Sequence, residues 1–372
     1  MSLTIMQSNF HLLWGGQAEV VLAGSLALCA RGHRVIVAAP PDSELDQRAR
    51  AAGLEVFTGC RFRKGFRPVS FWRDVDALGR FFQAQAVQIH HAHGSQDHWT
   101  AAVASRRFRV KTQIVRSRHN VYPIRNHWFN RTLFRKWTAA TIATAERLKE
   151  RFTASGLLTE DRLDVLHSPL PAAFEADDAP KPILRGELNL AAADPVVGFT
   201  ANFHPDKAPL VLLEAVPEIL KAEPKAKFIF IGHGPLDQTL RERTAALGLQ
   251  KCVFFPGFRS DIRAVMAAFD VFVLPSVTRE ASSTVLKMAG ALKIPAITTD
   301  VGGSAEIVAH QETGLVVPVG DGKALAEAVS ALLCDPERRK TMGRVAREKV
   351  LRNYTASALA EKTEAIYRRI LS

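Results

Sequence analysis

The sequence predicts an α/β protein made of two doubly wound parallel-sheet domains, and three observations carry that reading. Its 372 residues exceed one ordinary core and suit two domains of about 150 to 200 residues each. Short β-branched runs alternate with amphipathic stretches along the chain, the pattern of parallel strands covered by helices on both faces. A segment at 170–194, rich in Pro, Ala and Asp and without sustained periodicity, interrupts the alternation as a linker would.

In the first half, strands are expected at 3–7, 34–39, 87–91, 113–116 and 140–144, with helices at 18–31, 44–52, 71–83 and 148–154. A second series begins at Pro195, with strands at 196–200, 227–231, 253–255, 271–274 and 296–299 and helices at 209–220, 236–247 and 260–268. The expected domains are 1–172 and 173–353. Helical segments near 322–333, 336–350 and 355–371 close the chain with no periodicity to say where they pack; the domain division returns the helix at about 354–372 to the first domain. Doubly wound sheets bind ligands beyond the carboxyl ends of their strands, so the expected site is a central cleft faced by both domains.

No apolar run reaches the roughly 20 residues of a membrane span, and residues 1–10 lack the basic start and long apolar stretch of a signal peptide, so a cytosolic location is expected. The four cysteines, Cys29, Cys60, Cys252 and Cys334, are too scattered for a C-x-x-C metal or redox site and read as free thiols. Residues 1–172 carry 24 Lys/Arg against 13 Asp/Glu, whereas 173–372 carry 25 against 24, so nearly all of the +12 charge lies in the first half. That half is expected to meet something anionic: nucleic acid, phospholipid or a phosphorylated saccharide.

Four motifs carry chemistry. Gly15-Gly16-Gln17-Ala18-Glu19 lies between the first strand and a helix ending at Arg31-Gly32-His33; glycines there let backbone N–H groups approach an anion, although such a pair also serves as a plain turn. Thr278-Arg279-Glu280-Ala281-Ser282-Ser283-Thr284 precedes a helical run, where hydroxyls and free N–H groups suit a diphosphate and Glu280 suits sugar hydroxyls. Read as structure alone, it is a helix cap with a solvated glutamate. Asn202-Phe203-His204-Pro205-Asp206-Lys207 places a lysine at a strand end, where it can neutralise a departing phosphate or simply be solvated. Ile231-Gly232-His233-Gly234-Pro235 is a glycine-rich turn at a neighbouring strand end.

Together these residues resemble glycosyltransferase family 4, a retaining group 1 family of the GT-B fold. Gly15-Gly16 and Arg31-Gly32-His33 are similar to its first-domain signature. Gly232, Gly234-Pro235, Gly257, Asp270 to Ser276, Glu280, Pro295, Asp300, Gly302-Gly303 and Thr313-Gly314-Leu315 follow its second domain in order.

The resemblance implies that Gly15 and Gly16 line a donor diphosphate contacted by Lys207, with Ser283 and Thr284 at the phosphate. It implies further that Glu280 holds sugar hydroxyls, that the turn at Phe258-Arg259 holds the base, and that His119 is the active-site histidine, although a core or surface histidine is the plain alternative there. His91 and His93 are acceptor-side or structural, and Arg118 adds a cation at a neighbouring strand end. A hexosyltransferase of this kind uses a nucleotide diphosphate sugar, needs no metal or other cofactor, and retains configuration by attack on the donor's own face while the leaving phosphate helps deprotonate the acceptor.

The chain departs from the family in three places. The second glutamate of the E-x7-E motif falls on Met288, the arginine accompanying the phosphate-binding lysine is Asn202, and the following glycine is Ala208. Losing a charge-assisted hydrogen bond costs roughly 1.5–3 kcal/mol, so a catalytically impaired nucleotide-sugar-binding protein of the same fold is the competing expectation. Lys287 beside Met288 could point into the cleft or away from it.

Arg61-Phe62-Arg63-Lys64-Gly65-Phe66-Arg67 and the run from Trp128 to Trp137 interleave cations with aromatics, which suits an anionic membrane surface or an ordinary amphipathic helix. Polar groups at 94–99 and 116–120 fit a phosphorylated or lipid-linked envelope saccharide, such as lipopolysaccharide core, as acceptor. A nucleic-acid partner leaves the ordered second-half glycines unexplained. A nicotinamide dehydrogenase lacks its G-x-G-x-x-G after a strand.

Overall fold

The computed structural model describes residues 2–63, 65, 67–122, 124–178 and 180–372; Lys64 and Phe66 of the basic, aromatic run lie outside the described residues. The chain divides into two compact units, Met1–Pro169 with Ala356–Ser372, and Leu170–Thr355.

The first unit holds seven parallel strands: β1 (Thr4–Ser8), β2 (Arg34–Ala38), β3 (Glu55–Phe57), β4 (Ile89–Ala92), β5 (Gln113–Arg118), β6 (Ala140–Ala143) and β7 (Leu163–Val165). Their order is β3-β2-β1-β4-β5-β6-β7. Adjacent strand residues bury into opposite layers, as a doubly covered sheet requires. Ile5 joins Leu28, Val115 and Tyr367 on one face, while Met6 joins Ile36, Leu78, Phe82 and Ile114 on the other. The last helix, Ala356–Leu371, belongs to this unit because Ala360, Ile366 and Tyr367 complete the first of those faces. Glu364 anchors it through Arg31 at 2.6 Å, and Arg368 one turn along the same helix pairs with the same carboxylate at 2.5 Å.

The second unit holds six parallel strands: β8 (Val196–Thr200), β9 (Lys227–Ile231), β10 (Val253–Gly257), β11 (Val271–Leu274), β12 (Ala296–Thr299) and β13 (Gly314–Val317). Their order is β10-β9-β8-β11-β12-β13. One core runs through it, built on Val197, Phe199, Phe228, Phe230, Phe272 and Leu325 among others. In both units the order reverses beside the first strand, between β1 and β4 and between β8 and β11, and such switch points open the crevices in which ligands bind.

Three strands escaped the sequence reading: β3 and β7, whose three residues carry too little periodicity to register, and β13, which opens on Gly314 and leaves a run of only three apolar residues. The polar run at 94–99 is no mere strand end. It opens a helix, Ser95–Arg107, at whose start Asp97 accepts from the Gly94 N–H. The run from Trp128 is a short α-helix, Trp128–Arg131, that tightens into a π-helical turn over Thr132–Trp137, so the helical spacing of Trp128, Arg131 and Arg135 does not continue as one face.

Candidate functional site

In the second unit, the loops after β8 and β11 meet at the switch point. Lys207 ends the short 3-10 turn Pro205–Lys207, and its Nζ donates to Glu280 Oε2 at 2.5 Å. Ser276 Oγ donates to the same oxygen at 3.1 Å. Asp206 ties the two loops together, accepting from Thr278 Oγ1 at 2.7 Å and, through its carbonyl, from the Val277 N–H at 2.9 Å. Hydrogen bonding from Thr278, ahead of the charge of Arg279, holds the Asp206 carboxyl below the usual range.

Glu280 is pinned from behind as well. A Cβ on Gly302, whose φ is +57, would stand 1.5 Å from the Glu280 carbonyl oxygen, so only glycine lets the β12 loop close against it. Ala208, at φ 48 and ψ 48, keeps the left-handed turn that the expected glycine would have made without strain.

Ser283 is the buried N-cap of the helix Thr284–Ala291 and makes no side-chain cap hydrogen bond. The first N–H groups of that helix have no partner within it. Lys207, Glu280, Ser283 and Thr284 thus lie on the loops beside one switch point, with hydroxyls, amide donors and the Lys207–Glu280 ion pair.

Other expected donor residues sort differently. Gly232 and Gly234 are glycines for packing reasons: a Cβ would meet the Ala201 carbonyl oxygen at 2.0 Å and Asn202 Oδ1 at 2.3 Å, respectively. Asn202 therefore packs against the Gly234 backbone. Phe258 is 72% exposed. Arg259 is held by Glu187 at 2.7 Å and Asp261 at 2.7 Å, which positions it but spends its charge within the protein. Met288 packs half-buried at the edge of the core.

Lys287 points away from solvent altogether. It is 0% exposed, donates to Ser282 Oγ at 2.7 Å and lies 5.3 Å from the Tyr354 ring centroid. Burial pulls its pKa from 10.5 to about 7, against the opposing charge of Glu280. No pattern around Met288 signalled a buried lysine.

In the first unit, the switch point gathers histidines. His119 Nε2 and His93 Nδ1 are 2.9 Å apart, and the rings stack at 5.1 Å. His93 Nε2 lies 2.7 Å from Gln7 Oε1, and the Gln17 side chain donates to the His93 carbonyl. Asp97 Oδ2 accepts from the His93 and Gly94 N–H groups at 3.0 Å each, and from Ser8 Oγ at 2.7 Å. Burial, then the charges of Arg116 and Arg118, lower the His119 pKa to about 3. Its ring is therefore neutral at ordinary pH and serves as a hydrogen-bonding group rather than an acid.

Arg118 turns into its own loop, donating to the Tyr122 carbonyl at 2.6 Å and covering the Phe152 ring at 4.8 Å. Gly15 and Gly16 open the helix Gly16–Ala30, and a Cβ at either would meet nothing within 4 Å. Their own neighbours leave the space at that helix start open. Among the described residues, no group of three or more His, Cys, Asp or Glu side chains could hold a metal ion.

The basic, aromatic runs divide between surface and core. Phe62 is buried, and its N–H donates to Asp74 Oδ2 at 2.9 Å; Leu133 and Phe134 are buried too. Val69, Trp72, Trp128 and Phe129 stay exposed. Arg63, Arg67 and Arg73 line a groove of about 580 Å³ with Pro68, Val69 and Ser70. No described helix is long and apolar enough to cross a membrane.

Comparison with known proteins places this arrangement. The profile described as "Glycosyltransferase Family 4" matches residues 14–174, and that described as "Glycosyl transferases group 1" matches residues 194–335. The chain belongs to the family 4, group 1 glycosyltransferases. It is 32% identical over 197 residues to the GDP-mannose-dependent alpha-(1-6)-phosphatidylinositol monomannoside mannosyltransferase of Mycobacterium tuberculosis (strain CDC 1551 / Oshkosh), covering 51% of each chain. The chain spans about half the length of the first curated relatives it matches. Among solved structures, a glycosyltransferase from Rickettsia africae ESF-5 superposes with a TM-score of 0.87 at 19% identity, covering 100% of this chain and 99% of that one. Anabaena Alr3699/HepE in complex with UDP superposes with a TM-score of 0.78 at 20% identity, covering 99% and 100%. At these identities the likeness is one of fold, and the fold of this glycosyltransferase is GT-B.

Proposed function

We propose that the protein is a retaining hexosyltransferase that moves a sugar from a nucleoside diphosphate donor to a saccharide or lipid-linked envelope acceptor. The observation that carries the reading is the convergence of Lys207, Glu280 and the Ser283-Thr284 helix start at one switch point. A diphosphate meets amide donors, hydroxyls and a cation there, and Glu280 accepts from hydroxyls of the attached sugar.

In the transfer, the acceptor oxygen bonds to the anomeric carbon as the carbon–phosphate oxygen bond breaks. The acceptor proton passes to the departing phosphate. Lys207 stabilises charge on that phosphate, and the rate comes from placement and electrostatics rather than from a protein nucleophile. His119, held neutral, hydrogen-bonds a hydroxyl of the transferred sugar.

UDP in the Anabaena neighbour and the phosphatidylinositol mannoside named for the mycobacterial relative support a nucleotide donor and an envelope acceptor. Calorimetry with UDP-, GDP- and ADP-sugars tests the reading: one series binds in the micromolar range, and silence from all three removes it.

A weakened binder of the same fold is the second reading, and Met288 and Asn202 favour it. Met288→Glu supplies the absent acceptor on a half-buried helix position, and donor affinity rises about 10-fold or more. An unchanged donor Kd in the same calorimetry rejects the idea that Met288 weakens the site.

Exposed Val69 in the groove with Arg63, Arg67 and Arg73, followed in sequence by exposed Trp72, supports docking on an anionic membrane face, where the acceptor would be found. Each cation near such a surface contributes roughly 1 kcal/mol, so the triple Arg→Ala variant binds anionic vesicles about 100-fold more weakly at low salt. Equal binding by the variant, or none by the parent, rejects membrane docking.

A further inference from the structure

The helix Thr284–Ala291 is held at its entry by a pair of side chains that flank its cap. Ser283, the N-cap, is 4% exposed yet makes no side-chain cap hydrogen bond, although a serine there ordinarily accepts from one of the helix's first N–H groups. The residues around it are joined instead. Lys287 Nζ donates to Ser282 Oγ at 2.7 Å, which links the position just before the cap to the fourth residue of the helix.

Those are the two positions at which an apolar pair commonly packs and fixes the angle at which a chain enters its helix. Here the pair is polar. The ammonium has hydrogens only to give, and the serine oxygen accepts; the tie does not depend on where the serine's own hydrogen goes. The lysine is walled in as well. It is 0% exposed, and its Nζ lies 5.3 Å from the ring centroid of Tyr354. Tyr354 is fixed in turn by donation from its hydroxyl to the Glu306 carbonyl at 3.0 Å. Ser282 is thus tied to the interior of the second unit.

We propose that Lys287 is a positioning residue: by holding Ser282 it fixes the entry of the helix Thr284–Ala291 and leaves the first N–H groups open to the donor diphosphate. This rests on the reading of that helix start as the diphosphate site.

An N-cap side chain bonded inward would fix the chain and occupy an amide at the same time. The Lys287–Ser282 tie fixes the chain and occupies none, so the amides converge on an anion. Glu280 is held separately, by Lys207 and Ser276, and the tie acts on the cap rather than on that carboxylate. Burial pulls the Lys287 pKa to about 7, so its charge is kept at a cost to folding, and groups perturbed in this way gather at functional sites.

The test uses the full chain and UDP, GDP and ADP without their sugars, so that Glu280 is not probed. Lys287→Met removes the tie together with the charge; Ser282→Ala removes the tie and keeps the charge. In calorimetry, the Kd of the nucleotide that binds the parent rises roughly 10-fold in each variant, and the double variant loses no more than either single one. Amides of the first turn of the helix exchange with solvent about 10-fold faster in both variants without nucleotide, although Lys287→Met unfolds at higher urea than the parent.

Parent-like exchange at the helix start in both variants overturns the proposal, whatever the affinities. Weaker binding in Lys287→Met with parent-like binding in Ser282→Ala overturns it too, because the charge of the lysine, not its hold on Ser282, is then responsible. If none of the three nucleotides binds the parent, the diphosphate reading fails instead, and exchange at the helix start still decides whether Lys287 holds it.

Discussion

Lys207→Ala lowers turnover about 10²- to 10³-fold, the loss that follows removal of one preorganised donor aimed at charge developing in a transition state. The side chain is placed for that work by structure that the substitution leaves standing: the 3-10 turn Pro205–Lys207 and the Asp206 contacts to Thr278 and Val277 do not involve its ammonium. Turnover therefore falls more than donor affinity does. The variant also strands Glu280, which is 6% exposed and, among the described residues, keeps Ser276 as its hydrogen-bond donor. Leaving a buried carboxylate without its cation costs about 1–3 kcal/mol of stability, read as a lower urea midpoint. Single-turnover kinetics and a urea titration on one preparation separate the two effects. A variant with full turnover removes Lys207 from the chemistry.

Lys287→Met stabilises the protein, most at neutral pH and least in alkali. The gap between the ordinary lysine pKa of 10.5 and about 7 in the folded protein corresponds to roughly 5 kcal/mol of cost for the charged form. The sign follows from proton counts. Below about pH 7 lysine is protonated in both states, and the folded protein bears the full cost. Between pH 7 and 10.5 the unfolded chain holds the extra proton, so stability climbs with pH; above that range both forms are neutral and the cost is gone.

Methionine fills a similar volume without the charge, at the loss of the Ser282 contact at 2.7 Å and the Tyr354 ring contact. The expected net gain is about 2–4 kcal/mol at pH 7, shrinking towards pH 10. Urea unfolding of both proteins at the two pH values measures it. A gain that does not depend on pH shows that packing, not the buried charge, is responsible.

The glycine motifs show how far residues alone carry the argument. Gly15-Gly16 and Gly232-x-Gly234 read alike as strand-to-helix turns. The folded chain separates them: open space surrounds the first pair, whereas the second pair is demanded by the Ala201 and Asn202 backbone and side chain. Lys287 and Met288 are neighbours in sequence, yet one is sealed in the core and the other sits half-exposed, a difference set by helix phase against the helix Pro336–Asn353. The helix Ser95–Arg107 escaped notice because its buried positions include Asp97, His98 and Thr100, which blur the apolar stripe that marks an amphipathic helix.

Local chemistry was enough for the alternation of short apolar strands with helices, the polar break near 170–194, and the glycines, hydroxyls and lysine at the strand ends, since each depends on neighbours a few positions away. Which of those groups touch was settled by strand order and by the return of the last helix. Lys207 reaches Glu280 across 73 residues, and Tyr367 reaches His91 across 276. Contacts over such separations arise only when parallel strands cross over and bury both faces of a sheet, and no periodicity along the chain encodes them.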